Sequence, residues 1–173
     1  LEVGGLGSDT FRGDVGNDAI YGDLKSDAST TVATRPLSTA ATRSSALTAQ
    51  TAPALEVDTI SYARAKAAIT VNLKIGKANS TAKKGDPAKI GVDTLKGIEN
   101  IKSGPFDDLL RGSAANNFID GGKGRDTVIM SGKKRQYTVT YNSKTKTYVV
   151  VDKVAGRDGT DTLKNVEVIR FTD

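Results

Sequence analysis

Gly4-Gly5-Leu6-Gly7-Ser8-Asp9-Thr10-Phe11-Arg12 is followed without a gap by Gly13-Asp14-Val15-Gly16-Asn17-Asp18-Ala19-Ile20-Tyr21, so a nine-residue pattern is written twice. A third copy fades through Gly22-Asp23-Leu24-Lys25-Ser26-Asp27. Glycines at the first, second and fourth positions let the backbone take left-handed conformations and turn its carbonyls inward. The aspartate at position six adds a hard anionic oxygen. The apolar residue at position eight, Phe11 and then Ile20, points into a core from a strand only three residues long.

A second block keeps the same register downstream, with Asp108, Asn117 and Asp126 nine apart and Leu110, Ile119 and Val128 two residues behind them. Its last copy, Gly121-Gly122-Lys123-Gly124-Arg125-Asp126-Thr127-Val128-Ile129, has the full pattern. The middle copy lacks the glycines at positions two and four and offers the neutral amide of Asn117 in place of a carboxylate.

A longer period overlies both blocks. Asp58-Thr59-Ile60 matches Asp126-Thr127-Val128, Ile69-Thr70-Val71 matches Tyr137-Thr138-Val139, and Gly91-Val92-Asp93-Thr94-Leu95-Lys96 matches Gly159-Thr160-Asp161-Thr162-Leu163-Lys164, all 68 residues apart. Such self-similarity reads as two copies of one β unit in a modular array. Period-two alternation in Ala68-Ile69-Thr70-Val71-Asn72-Leu73 and Tyr137-Thr138-Val139-Thr140-Tyr141 predicts strands, and Asn142-Ser143-Lys144 predicts a hairpin turn in the second copy. The expected organisation is a repeat block at 1–30, an Ala/Ser/Thr-rich insertion at 31–56, a β unit at 57–105, a second block at 106–129 and a capping β unit at 126–173. The insertion reads as a polar linker, or as a segment that packs on the rest.

Turn glycines, aspartate and apolar residue recurring in phase resemble the calcium-binding nonapeptide of the repeats-in-toxin (RTX) family of secreted bacterial proteins. The resemblance implies an all-β, right-handed parallel β-roll or solenoid in which two nonapeptides make one coil and each turn stacks on the turn eighteen residues later. It implies Ca2+ as the cofactor, held by Asp9, Asp18 and Asp27 with the turns around Gly5, Gly7, Gly13, Gly16 and Gly22, and by Asp108 and Asp126 with Gly122 and Gly124. By the same rule Asp9 faces Asp27, Asp108 stacks on Asp126, and Asn117 interrupts the ladder. The alternative for every one of these aspartates is a turn residue that hydrogen-bonds its own backbone.

Composition narrows the function classes. The 173 residues contain no histidine and no cysteine, which excludes a Ser-His-Asp triad, a cysteine nucleophile and disulfides. Gly4-Gly5-Leu6-Gly7 lacks the Gly-Lys-Ser/Thr of a phosphate loop, and Asp107-Asp108 would project to opposite faces of a strand, so no enzyme is expected. No apolar run is long enough to cross a membrane. The net charge of +5 is unevenly spread: residues 1–30 hold six acidic and two basic residues, net −4, and bound calcium would neutralise that repulsion. Lys133-Lys134-Arg135 is the densest basic cluster. Opening inside a repeat suits a fragment of a longer protein.

The expected role is therefore a calcium-dependently folding structural module of a secreted or cell-surface bacterial protein, of the kind exported by type I secretion. The alternative is an adhesive, matrix-forming or acidic-polysaccharide-binding building block. Calcium ions, self-association and surface polysaccharide are the expected partners, and nucleic acid is not.

Overall fold

The computed structural model describes residues 2–3, 8–13, 17–22, 57–81 and 85–173. The 31–56 insertion, Asp27, Gly5, Gly7 and Gly16 lie outside the described residues. Within them the chain is all-β, with one turn of 3-10 helix at Lys134–Gln136.

Positions seven to nine of the repeat form strands because one apolar side chain flanked by two that tolerate solvent suits a half-buried strand. These are β1 (Glu2–Val3), β2 (Thr10–Arg12), β3 (Ala19–Tyr21), β4 (Thr59–Ser61), β8 (Asn100–Lys102), β9 (Leu109–Arg111), β10 (Phe118–Asp120), β11 (Thr127–Ile129) and β15 (Val168–Arg170). The middle residues Phe11, Ile20, Ile60, Ile101, Leu110, Ile119 and Val128 are buried in a single cluster, and Ile169 is partly buried against it. The longer strands are β5 (Ile69–Asn72), β6 (Lys77–Ser80), β7 (Val92–Lys96), β12 (Tyr137–Asn142), β13 (Thr147–Asp152) and β14 (Thr160–Lys164).

The strands build two sheets, ordered β1-β3-β7-β6-β5-β9-β11-β15 and β12-β13-β14-β10-β8-β4-β2. Short strands pair in parallel, with Ile119 beside Ile101 and Val128 beside Leu110, eighteen residues apart. Where a β unit intervenes, the step is 41 residues, as from Ile60 to Ile101 and from Val128 to Ile169.

An all-parallel solenoid is not what forms: both sheets are mixed. β5-β6-β7 and β12-β13-β14 are antiparallel meanders. The cause is local. Residues 73–76 and 143–146 connect their strands in four residues and carry left-handed conformations at Gly76 (φ 63°) and Lys146 (φ 55°), and so short a link can only reverse the chain, since a parallel return needs a dozen residues or more.

The starts of β4 and β11, β5 and β12, β7 and β14, and β8 and β15 are each 68 residues apart. Gly91 and Gly159 both sit at φ 70°, and Gly97 and Asn165 at 63° and 50°. The hairpin strands lengthen from four residues to six, and the following connection shortens correspondingly. The two meanders lie in different sheets, because four short strands (β8, β9, β10, β11) separate β7 from β12 and successive strands alternate between the sheets along that stretch.

Candidate metal centre

Parallel three-residue strands leave the turn backbone between them with N–H groups that no sheet partner can reach, and position six supplies the acceptors. Asp108 donates its N–H to Asp126 Oδ1 at 2.8 Å, while Thr127 donates back to the Asp108 carbonyl at 2.9 Å. The pair recurs. Asp9 donates to Asp58 Oδ1 at 2.8 Å, Asp18 to Asp93 Oδ1 at 2.9 Å and Asn117 to Asp161 Oδ1 at 3.0 Å. Thr59, Thr94 and Thr162 donate back to the carbonyls of Asp9, Asp18 and Asn117. Asp58 and Asp126 in turn donate to Glu99 Oε2 and Glu167 Oε2 at 3.0 and 2.8 Å. Position-six side chains thus bridge one coil to the next, and two also cap their own turns: Asn117 Oδ1 accepts from Ser113 N–H at 2.7 Å and Asp108 Oδ2 from Gly104 N–H at 3.1 Å.

Asp108 and Asp126 are brought together. Asp9 and Asp18 instead meet Asp58 and Asp93, residues from the first β unit. Asp58, Asp93 and Asp161 were not singled out as site residues in the sequence, because the full Gly-Gly-x-Gly does not precede them: Asp93 and Asp161 have Gly91 and Gly159 two residues before them, and Asp58 has none. The signal that marks them is the triplet Asp-Thr-apolar, shared by Asp9-Thr10-Phe11, Asp58-Thr59-Ile60, Asp93-Thr94-Leu95, Asp126-Thr127-Val128 and Asp161-Thr162-Leu163.

Burial makes four of these carboxyls, those of Asp93, Asp108, Asp126 and Asp161, unwilling to ionise. Desolvation pushes Asp126 up to about 7, with the nearby Asp108, Glu167 and Asp107 adding to it. Asp93 rises to about 6 and Asp161 to about 8, again chiefly through desolvation, and Asp108 is raised for the same reason. Tyr62, itself buried, donates its hydroxyl to Asp93 Oδ2 at 2.7 Å.

Asp126 differs from its counterparts in one respect. Asp108 Oδ2 accepts from the Ser103 hydroxyl and from Gly104 N–H. The corresponding donors are missing around Asp126: Gly121 replaces the serine, and Gly122, at φ 89°, turns its N–H to Asp120 Oδ1 at 3.2 Å. Asp126 Oδ2 is consequently buried with no hydrogen-bond partner. A side chain on Gly121 would run into this oxygen and into the Asn165 carbonyl, so the bare glycine holds open a cradle facing both. Gly122 and Gly124 (φ 119°) are glycine for a different reason, since a Cβ on either would meet the backbone of Gly104 or Phe106 in the turn stacked against them. Gly13 and Gly22 make similar close approaches, to the Tyr62 ring and to Gly97 O with Asp58.

Residues 3–27 and 93–128 match the RTX calcium-binding nonapeptide repeat, in four copies. These two stretches are RTX calcium-binding repeats. No curated protein sequence matches it.

RTX repeats imply calcium, and the residues at one position fit that ion. An unpartnered buried carboxylate oxygen of Asp126 and the Asn165 carbonyl, both facing the bare Gly121, are hard donors of the kind Ca2+ takes. Among the described residues no three His, Cys, Asp or Glu side chains gather around one point, so the RTX turns here would rely on carbonyls for the remaining ligands. Asn117, fully engaged with Ser113 and with the Glu99 carbonyl at 2.7 Å, has nothing to offer a cation.

Proposed function

We propose that the chain is a calcium-stabilised structural module that folds as a right-handed parallel β-roll, interrupted and capped by two copies of one β unit, within a secreted or surface-exposed bacterial protein. The observation that carries this reading is the orphaned Asp126 Oδ2 beside the Gly121 cradle. A buried, unpaired carboxylate oxygen costs free energy, and a divalent ion seated on it removes that cost. Asp126, Asp108 and the Gly122 and Gly124 turn form the second-block site, with Asp9, Asp18 and Asp27 serving the first. Extracellular calcium modules bind at about 10⁻⁴ to 10⁻³ M, so such a site is empty inside a cell and filled outside, which suits export of a loosely folded chain through type I secretion. Catalysis has no part in this role.

Far-ultraviolet circular dichroism of the chelator-treated chain, before and after millimolar calcium, tests it. A gain of β signal and a higher melting temperature support the module. Spectra and melting curves that superimpose with and without calcium sink it.

A further inference from the structure

The two β units differ in what lies beyond them. In the first, β5 is flanked on one side by β6 and on the other by β9 of the following repeat block, and β8 lies between β4 and β10. In the second, among the described residues, β12 pairs only with β13 and β15 only with β11. The same residue records the consequence: Val71 in β5 is fully buried, whereas Val139, its counterpart 68 residues later in β12, is 41% exposed. Tyr141 and Tyr148, on the face that Val139 shares, are 53% and 37% exposed and stack only on each other, ring centroids 4.9 Å apart. The core-facing side of the second hairpin therefore continues past the last coil with nothing over it among the described residues. β12, Tyr-Thr-Val-Thr-Tyr-Asn, carries neither a charge nor a proline, the usual devices that stop an edge strand from pairing.

We infer that this C-terminal end is a docking edge for the N-terminal coil of a second copy of the chain, β2 adding in parallel to β12 and β1 to β15. The first unit shows what covers such an edge, namely short repeat strands in parallel. The opposite ends of the same two sheets are β1 and β2, each paired on one side only among the described residues. Charge is complementary: residues 1–30 carry net −4, whereas residues 126–173 hold nine basic and six acidic residues, net +3. Head-to-tail contacts of this kind do not close, so copies add into a linear array.

The inference rests on the stacked-coil module proposed above, and the tests separate the two. The full chain is first shown to be folded in calcium by circular dichroism, then examined by sedimentation over a concentration series. Docking predicts species growing past dimer with concentration, and at least about tenfold weaker association for Val139→Lys, whose exposed position leaves its melting temperature unchanged. Because the chain has no cysteine, Thr138→Cys and Thr10→Cys chains can be mixed under mild oxidation. Adjacent parallel strands lie about 4.8 Å apart, within disulfide reach, so the mixed disulfide should dominate over either like pair. A folded chain that stays monomeric overturns the docking alone, and so does a predominance of Thr138→Cys pairs, which would mean back-to-back hairpins. A chain that calcium fails to fold overturns the module reading instead.

Discussion

Asp126→Asn should make the metal-free chain more stable and the calcium-loaded chain less responsive. Asparagine keeps the Oδ1 acceptor that Asp108 N–H uses and replaces the orphaned Oδ2 with an amide facing the Asn165 carbonyl. The magnitude follows from the carboxyl's displacement from 3.8 to about 7. At about 1.36 kcal/mol per unit, ionising Asp126 in the folded state opposes folding by roughly 4 kcal/mol at most, and about 2 to 4 kcal/mol is expected at pH 8. The sign is fixed by the proton balance. The native state holds this proton where the unfolded chain has lost it, so the wild type loses stability as pH rises from about 4 to about 7 and is level above that. The variant lacks this contribution, hence its advantage is absent near pH 4 and full by pH 8. Calcium favours the ionised form, so the wild type should gain about 1.4 kcal/mol at a calcium concentration ten times the dissociation constant, and the variant close to none from this site. Urea unfolding in chelator and in calcium, at several pH values, measures all of this. A variant less stable than wild type in chelator at pH 8, with an undiminished calcium gain, would refute the reasoning.

Other substitutions should separate structure from metal binding. Asp161→Asn should flatten the fall in stability between pH 4 and 8 that a carboxyl displaced to about 8 produces, because the folded state again holds the extra proton, while leaving the calcium shift intact in urea titrations. Asn117→Ala removes a buried side chain bonded to Ser113 and Glu99, and should cost about 1 to 3 kcal/mol equally with and without calcium; a loss confined to the calcium form would place a ligand there. Leu110→Ala, fully buried between Val71 and Val128, should cost about 2 to 5 kcal/mol by chemical denaturation, whereas Val139→Ala at the open edge should cost under about 1 kcal/mol.

The core was legible in the sequence because the nine-residue period fixes which residue of each strand points inward: Phe11, Ile20, Leu110, Ile119 and Val128 all do. The 68-residue match likewise located the β strands from Ile69 and Tyr137. That the sheets are mixed was less legible, since reversal at residues 73–76 depends on left-handed Gly76 at the end of Leu73-Lys74-Ile75-Gly76, a run without an Asn-Gly or Asp-Gly turn pair. Exchange of the meanders between sheets depends on how many short strands separate them, a property no local pattern carries. At the site, position six marked Asp108 and Asp126, but Asp58, Asp93 and Asp161 escaped because they bridge coils without the full Gly-Gly-x-Gly before them. The orphaned oxygen of Asp126 was out of reach altogether: it arises because the Gly122 N–H points to Asp120, a three-dimensional outcome of the turn at Gly121 and Gly122.

Amide hydrogen exchange with and without calcium tests the stacked-turn site most directly, because the N–H groups of Asp108 and Thr127 join the two turns around Asp126. A metal held at Asp126 should slow exchange at these two amides well beyond any change in the β12–β13 hairpin. Exchange that calcium leaves unaltered at Asp108 and Thr127, or alters no more than in the hairpin, would contradict a calcium site between these turns.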